Sequence, residues 1–172
     1  MRDTWDTAVI PRVPDTRTRV LDIVGTLARL GLAGIWLVSG ALKATDPLQT
    51  AVAVDAYDVL PPIGVEIVAA LLPWVEIALG MLLLVGLGTR LVGLLSALLM
   101  LGFLAGVTQA WARGLSIDCG CFGGGGEVAP GETAYLQELL RDTGFALLAC
   151  WLIARPRTVA SLDSRLVESE RT

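Results

Sequence analysis

Residues 91–112 run for 22 positions without a charge. As a helix rising 1.5 Å per residue this run is about 33 Å long, enough to cross the hydrocarbon core of a bilayer. The composition points the same way. Of 172 residues, 54% are hydrophobic and 17% charged, against roughly 45–50% and about 25% in a soluble domain. Polar surface is too scarce to coat a water-soluble globule, so the chain reads as an integral membrane protein.

Three further segments extend that reading less cleanly. Residues 21–42 are interrupted by Asp22 and Arg29, residues 65–87 carry Pro73 and Glu76, and residues 135–154 hold Glu138, Arg141 and Asp142 in their first third. Four spans use about 80 positions, close to half the chain. Between the first two, Lys43-Ala44-Thr45-Asp46-Pro47 opens a stretch that reaches Leu60-Pro61-Pro62. Its apolar residues predict a short interfacial helix ended by the proline pair. A tight turn is expected at residues 86–90. The expected fold class is all-α, an integral membrane four-helix bundle. It divides into a polar tail over 1–19, a membrane domain over 20–155 and a second tail over 156–172. The first tail lacks the early apolar region of a cleaved secretory signal and reads as part of a retained anchor.

The N-terminal tail, the Arg90 turn and the C-terminal tail hold nine of the thirteen lysines and arginines, against three for Lys43, Arg113 and Arg141 at the opposite ends of the spans. By the positive-inside rule both termini are cytoplasmic. Both longer loops then face outward, in the compartment where disulfides form and persist.

The chain contains no histidine. This removes His-ligated haem, the usual catalytic zinc sites and any Ser-His or Cys-His pair. A net charge of -4 and a pI near 4.8 give no electrostatic case for nucleic acid. Chemistry is left to cysteines and carboxylates. Cys119-Gly120-Cys121 sits in the second outer loop, followed by Phe122 and four glycines, Gly123 to Gly126. A disulfide needs Cα atoms about 4.4–6.8 Å apart, so the backbone must fold between the two cysteines, and Gly120 permits this. So small a ring is strained, and strained exposed disulfides are the labile ones. Thiol-disulfide exchange is therefore favoured over a staple, which here closes almost no loop. Two soft thiolates can also hold Cu(I), whereas zinc needs ligands this loop lacks, and no metal ligand set is assigned. The glycine run offers a loop able to carry the pair toward a partner.

Arg141 lies near that loop, where a guanidinium lowers a thiol pKa; a structural pair with Asp142 or Glu138 is the competing role. Glu76, near the middle of its span, must be paired, protonated or beside a polar cavity. Arg29 is its expected partner, and the two residues are candidate proton or quinone contacts. Cys150 lies about 15 residues into the last span, over 20 Å from its outer end, and is expected to be a small core residue. Glycines in the spans, Gly40 and Gly80 among them, are expected to permit close helix contact.

The ordered set of motifs resembles the MauE branch of the DoxX-like membrane proteins. It comprises Leu37-Val38-Ser39-Gly40-Ala41-Leu42-Lys43 with Asp46-Pro47, then Tyr57 and Leu60-Pro61, then Leu72-Pro73-Trp74-Val75-Glu76 with Gly80. It closes with Ile117-Asp118-Cys119-Gly120-Cys121-Phe122-Gly123 and Leu139-Leu140-Arg141-Asp142. The likeness covers about residues 20–155. It implies a four-helix membrane protein associated with maturation of a disulfide-rich enzyme, methylamine dehydrogenase, alongside a thioredoxin-like partner. DoxX-type relatives link it to membrane quinone chemistry. The leading expectation is a membrane thiol-disulfide redox protein that exchanges equivalents with an extracytoplasmic thioredoxin-like protein through Cys119 and Cys121, a membrane quinone carrying electrons onward. A non-catalytic accessory subunit of a respiratory or maturation complex is the reading of a different class, and a small-molecule or metal transporter a third.

Overall fold

The computed structural model describes residues 16–156 together with Thr158 and Ser161. Most of the two expected tails therefore lies outside the described residues. Helix α1 spans Thr16–Thr45, α2 Pro47–Asp55, α3 Pro62–Val85, α4 Thr89–Ala112 and α5 Tyr135–Ala154. A two-stranded antiparallel ribbon, β1 (Ile117–Asp118) and β2 (Gly126–Glu127), separates α4 from α5.

The boundaries follow local chemistry. Asp46 caps α2 by accepting a 3.0 Å bond from the Gln49 amide, with Pro47 in the first turn, where proline's missing N–H costs nothing. Pro62 likewise opens α3. Gly86, at φ 70°, closes α3 in the left-handed conformation, so that the chain turns sharply into α4.

Helices α1, α3 and α4 are long and apolar enough to cross a membrane, and their outward faces fit that solvent. Leu27, Leu71, Leu91, Leu98 and Leu101 are all more than half exposed; in water this would leave apolar patches uncovered, in lipid it costs nothing. Helix α5 does not meet the same test of length and composition.

Helix α1 runs antiparallel along α3, α4 lies along α5, and α1 also meets α5. Close approach of α1 and α3 depends on two glycines: a Cβ on Gly40 would fall 2.7 Å from the Pro73 carbonyl, and one on Gly80 2.7 Å from Leu37. The main core gathers Leu32, Trp36, Leu83, Met100 and Leu152, with Trp36 donating from Nε1 to Ser96 Oγ at 3.0 Å. A second core joins Val107, Ala110 and Tyr135 to Ile117, Cys119 and Cys121. Cys150 is exposed, contrary to expectation, because α5 turns Ala149 and Leu152 inward on either side of it.

Candidate functional site

Antiparallel packing decides which charges meet. Arg29, near the middle of α1, comes level with the end of α3 and donates to the Leu83 and Leu84 carbonyls at 2.8 and 3.2 Å. Carbonyls at a helix end have spare acceptor capacity, although that of Leu83 also accepts from the Gly86 amide, and a cation there complements the helix dipole. Arg29 is thus not the partner of Glu76. That partner is Lys43, near the other end of α1.

Ser39 and Lys43 stand four residues apart on the inward face of α1, so their side chains converge. Lys43 Nζ lies 3.0 Å from Glu76 Oε1, 2.6 Å from Ser39 Oγ and 3.0 Å from the Cys121 carbonyl. An ammonium has three protons, and all three are used. Ser39 Oγ is 3.0 Å from Glu76 Oε2 and 2.7 Å from the same Cys121 carbonyl. Lys43 is 7% exposed and Glu76 0%. Burial of an ion pair alone often only breaks even; this one also satisfies a loop carbonyl and a hydroxyl.

Through that carbonyl the cysteine loop is seated among the helices. Glu76 lies about 21 Å along α3 from Pro62 at the helical rise, so Cys121 reaches far below the Pro62 end of α3. Loop glycines make the descent possible. Gly120 and Gly125 have φ of 66° and 95°, and a Cβ on either would fall 2.8 or 2.7 Å from the Ala53 Cβ of α2. Gln49 of α2 donates to the Gly125 carbonyl at 2.6 Å. The glycines thus serve close packing rather than the swinging loop expected from their number. Gly120→Ala should combine left-handed strain with that clash, costing about 1–3 kcal/mol. It should raise proteolysis or amide exchange across residues 117–127 while leaving exchange in α3 unchanged.

Both cysteines are reduced and buried, at 8% and 7% exposure. Arg141 Nη2 donates to Cys119 Sγ at 3.3 Å. The same guanidinium donates from Nε to Asp142 at 2.9 Å and lies 5.0 Å over the Phe122 ring. Arg141 therefore holds both arrangements that the sequence left open. Cys121 first, then Arg141, bring the Cys119 thiol down to about 6, against burial, which pushes it up. Cys121 moves up, through its proximity to Cys119 and then burial.

Around this pair the backbone is held at several points. Tyr57 donates to the Cys119 carbonyl at 3.2 Å, and the Cys119 amide donates to Glu138 Oε1 at 3.2 Å. Burial, followed by the charges of Cys119 and Cys121, raises the Tyr57 phenol, so it stays a donor. Tyr135, at the start of α5, fixes the entrance to the loop by donating to the Leu115 carbonyl at 2.7 Å and accepting from the Ile117 amide. Asp118, Cys119 and Glu138 bring three potential ligand atoms within 4.8 Å of one another; a cation there would compete with Arg141 for the sulfur.

Glu76, Cys119, Cys121 and Arg141, each singled out from sequence, thus belong to one connected cluster, and Arg29 stands apart from it. Sequence reasoning missed Lys43 and Ser39 as the partners of Glu76, and Glu138 as a neighbour of Cys119. The spacing of Ser39 and Lys43, and the registration of Gly40 and Gly80 across two antiparallel helices, were the available signals. Residues 21–155, more than three quarters of the chain, match the family described as methylamine utilisation protein MauE. The chain belongs to the MauE family. No curated protein and no solved structure matches it. Family membership and three apolar helices make it a membrane protein associated with methylamine utilisation.

Proposed function

We propose that this MauE-family protein is a membrane thiol-disulfide redox protein, exchanging equivalents with an extracytoplasmic thioredoxin-like protein through Cys119 and Cys121. The observation that carries the reading is the asymmetry of the pair: the guanidinium of Arg141 donates to the Sγ of Cys119 and not to that of Cys121. Cys119 is the attacking sulfur and Cys121 the resolving one. Cys119 thiolate attacks the partner disulfide, forming a mixed disulfide and releasing one partner thiolate; Cys121 then attacks Cys119 Sγ, closing the pair and releasing the second. Two electrons pass to the partner. In the opposite direction the same steps run in reverse. A disulfide-rich enzyme such as methylamine dehydrogenase is the proposed client.

The architecture proposed with this activity is a four-helix membrane bundle over residues 20–155, with tails 1–19 and 156–172 both cytoplasmic. The fourth span is α5. Its failure on composition has a physical reason, since Glu138 and Asp142 are 4% and 1% exposed whereas Leu136, Leu140 and Leu147 are each more than 60% exposed. The acids face protein and the leucines face lipid, an inversion that averaging over sequence cannot see. The cysteine loop then lies on the extracytoplasmic side. A membrane quinone is the chemical class suited to carry electrons onward, and of Glu76 and Arg29, the residues assigned to it, Glu76 is the one connected to the loop.

Cys121→Ser is expected to accumulate a mixed disulfide with the partner, visible as a reductant-sensitive band on nonreducing gels, whereas Cys119→Ser yields none. The reverse pattern would overturn the assignment. Burial of both thiols favours one other reading, an accessory subunit whose loop only shapes a contact. Differential alkylation of membranes with and without reductant separates the two, since an accessory subunit's pair does not cycle.

A further inference from the structure

The histidine that usually partners a reactive cysteine is absent from this chain, yet one buried titratable group beside Cys119 has no role in the scheme above. Glu138 is 4% exposed. Its Oε1 accepts from the Cys119 amide at 3.2 Å, its Oε2 has no hydrogen-bond partner, and a carboxylate oxygen lies within 4.8 Å of Cys119 Sγ. The amide bond fixes the carboxyl against the cysteine, and the spare oxygen leaves a place for a proton. Burying a carboxylate oxygen without a partner is costly unless it carries or exchanges one.

We propose that Glu138 is the acid-base partner of Cys119, taking the proton that the thiol gives up and returning it to the partner sulfur that departs as the mixed disulfide forms. This rests on the thiol-exchange reading. In the resting pair the Cys119 proton has passed to the Glu138 carboxylate. The resulting thiolate attacks one sulfur of the partner disulfide, the Cys119–partner S–S bond forms and the partner's own S–S bond breaks. The leaving sulfur takes the bonding pair and then the proton held on Glu138. Cys119 sulfur is oxidised, the departing sulfur is reduced to a thiol, and the carboxylate is regenerated. Arg141 stabilises the thiolate but cannot supply this proton, because a guanidinium stays charged. Glu138 completes the pair with a group that accepts and donates.

Such an acid matters in proportion to how badly the leaving sulfur needs a proton. The test uses the full-length protein in detergent with Cys150→Ser, which removes the exposed third thiol, and two neutral reagents. Dithiodipyridine releases a thione that needs no proton, whereas hydroxyethyl disulfide releases a basic alkyl thiolate. Glu138→Gln keeps an oxygen for the Cys119 amide. It is expected to slow the alkyl reagent at least about tenfold and the pyridyl reagent less than about twofold. Equal slowing of both, the signature of a structural role, or slowing of neither overturns the proposal. If neither reagent reacts with the unsubstituted pair, the underlying thiol-exchange reading fails instead.

Should Glu138→Gln not fold, the unsubstituted protein decides. The groups facing Glu138 are Asp118 and Cys119 of the loop, Tyr57 after α2, Arg141 and Asp142 on its own helix and, beyond Cys121, Lys43 of α1. The Cys119 thiolate enters both reactions alike, so its own titration cancels in the ratio of the two rates. The ratio of alkyl to pyridyl rate is therefore expected to fall about tenfold with rising pH as the carboxyl loses its proton. A ratio independent of pH overturns the proposal.

Discussion

Lys43→Met is expected to lower the stability of the folded protein by about 3–5 kcal/mol, the cost of leaving one member of a buried ion pair without its partner. Glu76 is fully buried and Lys43 is its cation, so the substitution strands a carboxylate among helices. Replacing both members, Lys43→Met with Glu76→Leu, should recover most of the loss, since a buried pair and a well-packed apolar pair often come out nearly equal. The loop should not recover with it. In the double variant the Cys121 carbonyl keeps the Ser39 hydroxyl but loses its charged donor, Lys43, and replacing two bonds, one of them charge-assisted, by a single neutral one favours opening. Unfolding in mixed micelles measures the first effect, and alkylation of Cys121 in a Cys119→Ser background the second. A double variant that regains stability and also keeps Cys121 protected would show that the ion pair holds only the helices.

That pair also shows where sequence was informative and where it stopped. A glutamate inside a span needs a partner, and Glu76 has one. The identity of the partner depended on something local pattern does not encode. Arg29 and Lys43 lie on the same helix 14 residues apart, about 21 Å at the helical rise, and only the register of α1 against α3 chooses between them. Gly40 opposite Pro73 and Gly80 opposite Leu37 set that register. The apolar runs, the short helix after Pro47 and the cysteine motif were legible because each is a property of contiguous residues. The glycine run misled for a related reason. Four successive glycines look flexible in isolation, yet Gly125 and Gly126 closely approach Ala53 and Val52, a constraint that appears only when α2 lies against the loop. Helix α5 began and ended where its pattern predicted, yet which of its charges face protein came from tertiary contact with α4 and α1.

Removing the groups that hold Cys119 as a thiolate should move the pH midpoint of its reactivity by more than it changes the rate at neutral pH. Its value of about 6 leaves the thiolate dominant at pH 7, whereas an ordinary thiol near 8.5 is only a few per cent ionised there, a difference of about 30-fold. A less acidic thiolate is also the better nucleophile. With a Brønsted slope of about 0.4–0.5, that offsets about tenfold, so the net loss of rate at pH 7 is only about threefold while the midpoint travels toward the alkaline side. Both Cys121 and Arg141 lower the Cys119 thiol, so Cys121→Ala and Arg141→Gln should each shift the midpoint upward, and both together further than either. The sign for stability follows. A depressed thiol stabilises the fold fully above the unfolded value, about 8.5; the contribution declines as pH falls and is gone below about 6. Iodoacetamide rates against pH in a Cys150→Ser background measure the midpoints. A midpoint unmoved by either substitution would mean that Arg141 serves Asp142 and Phe122 rather than the sulfur.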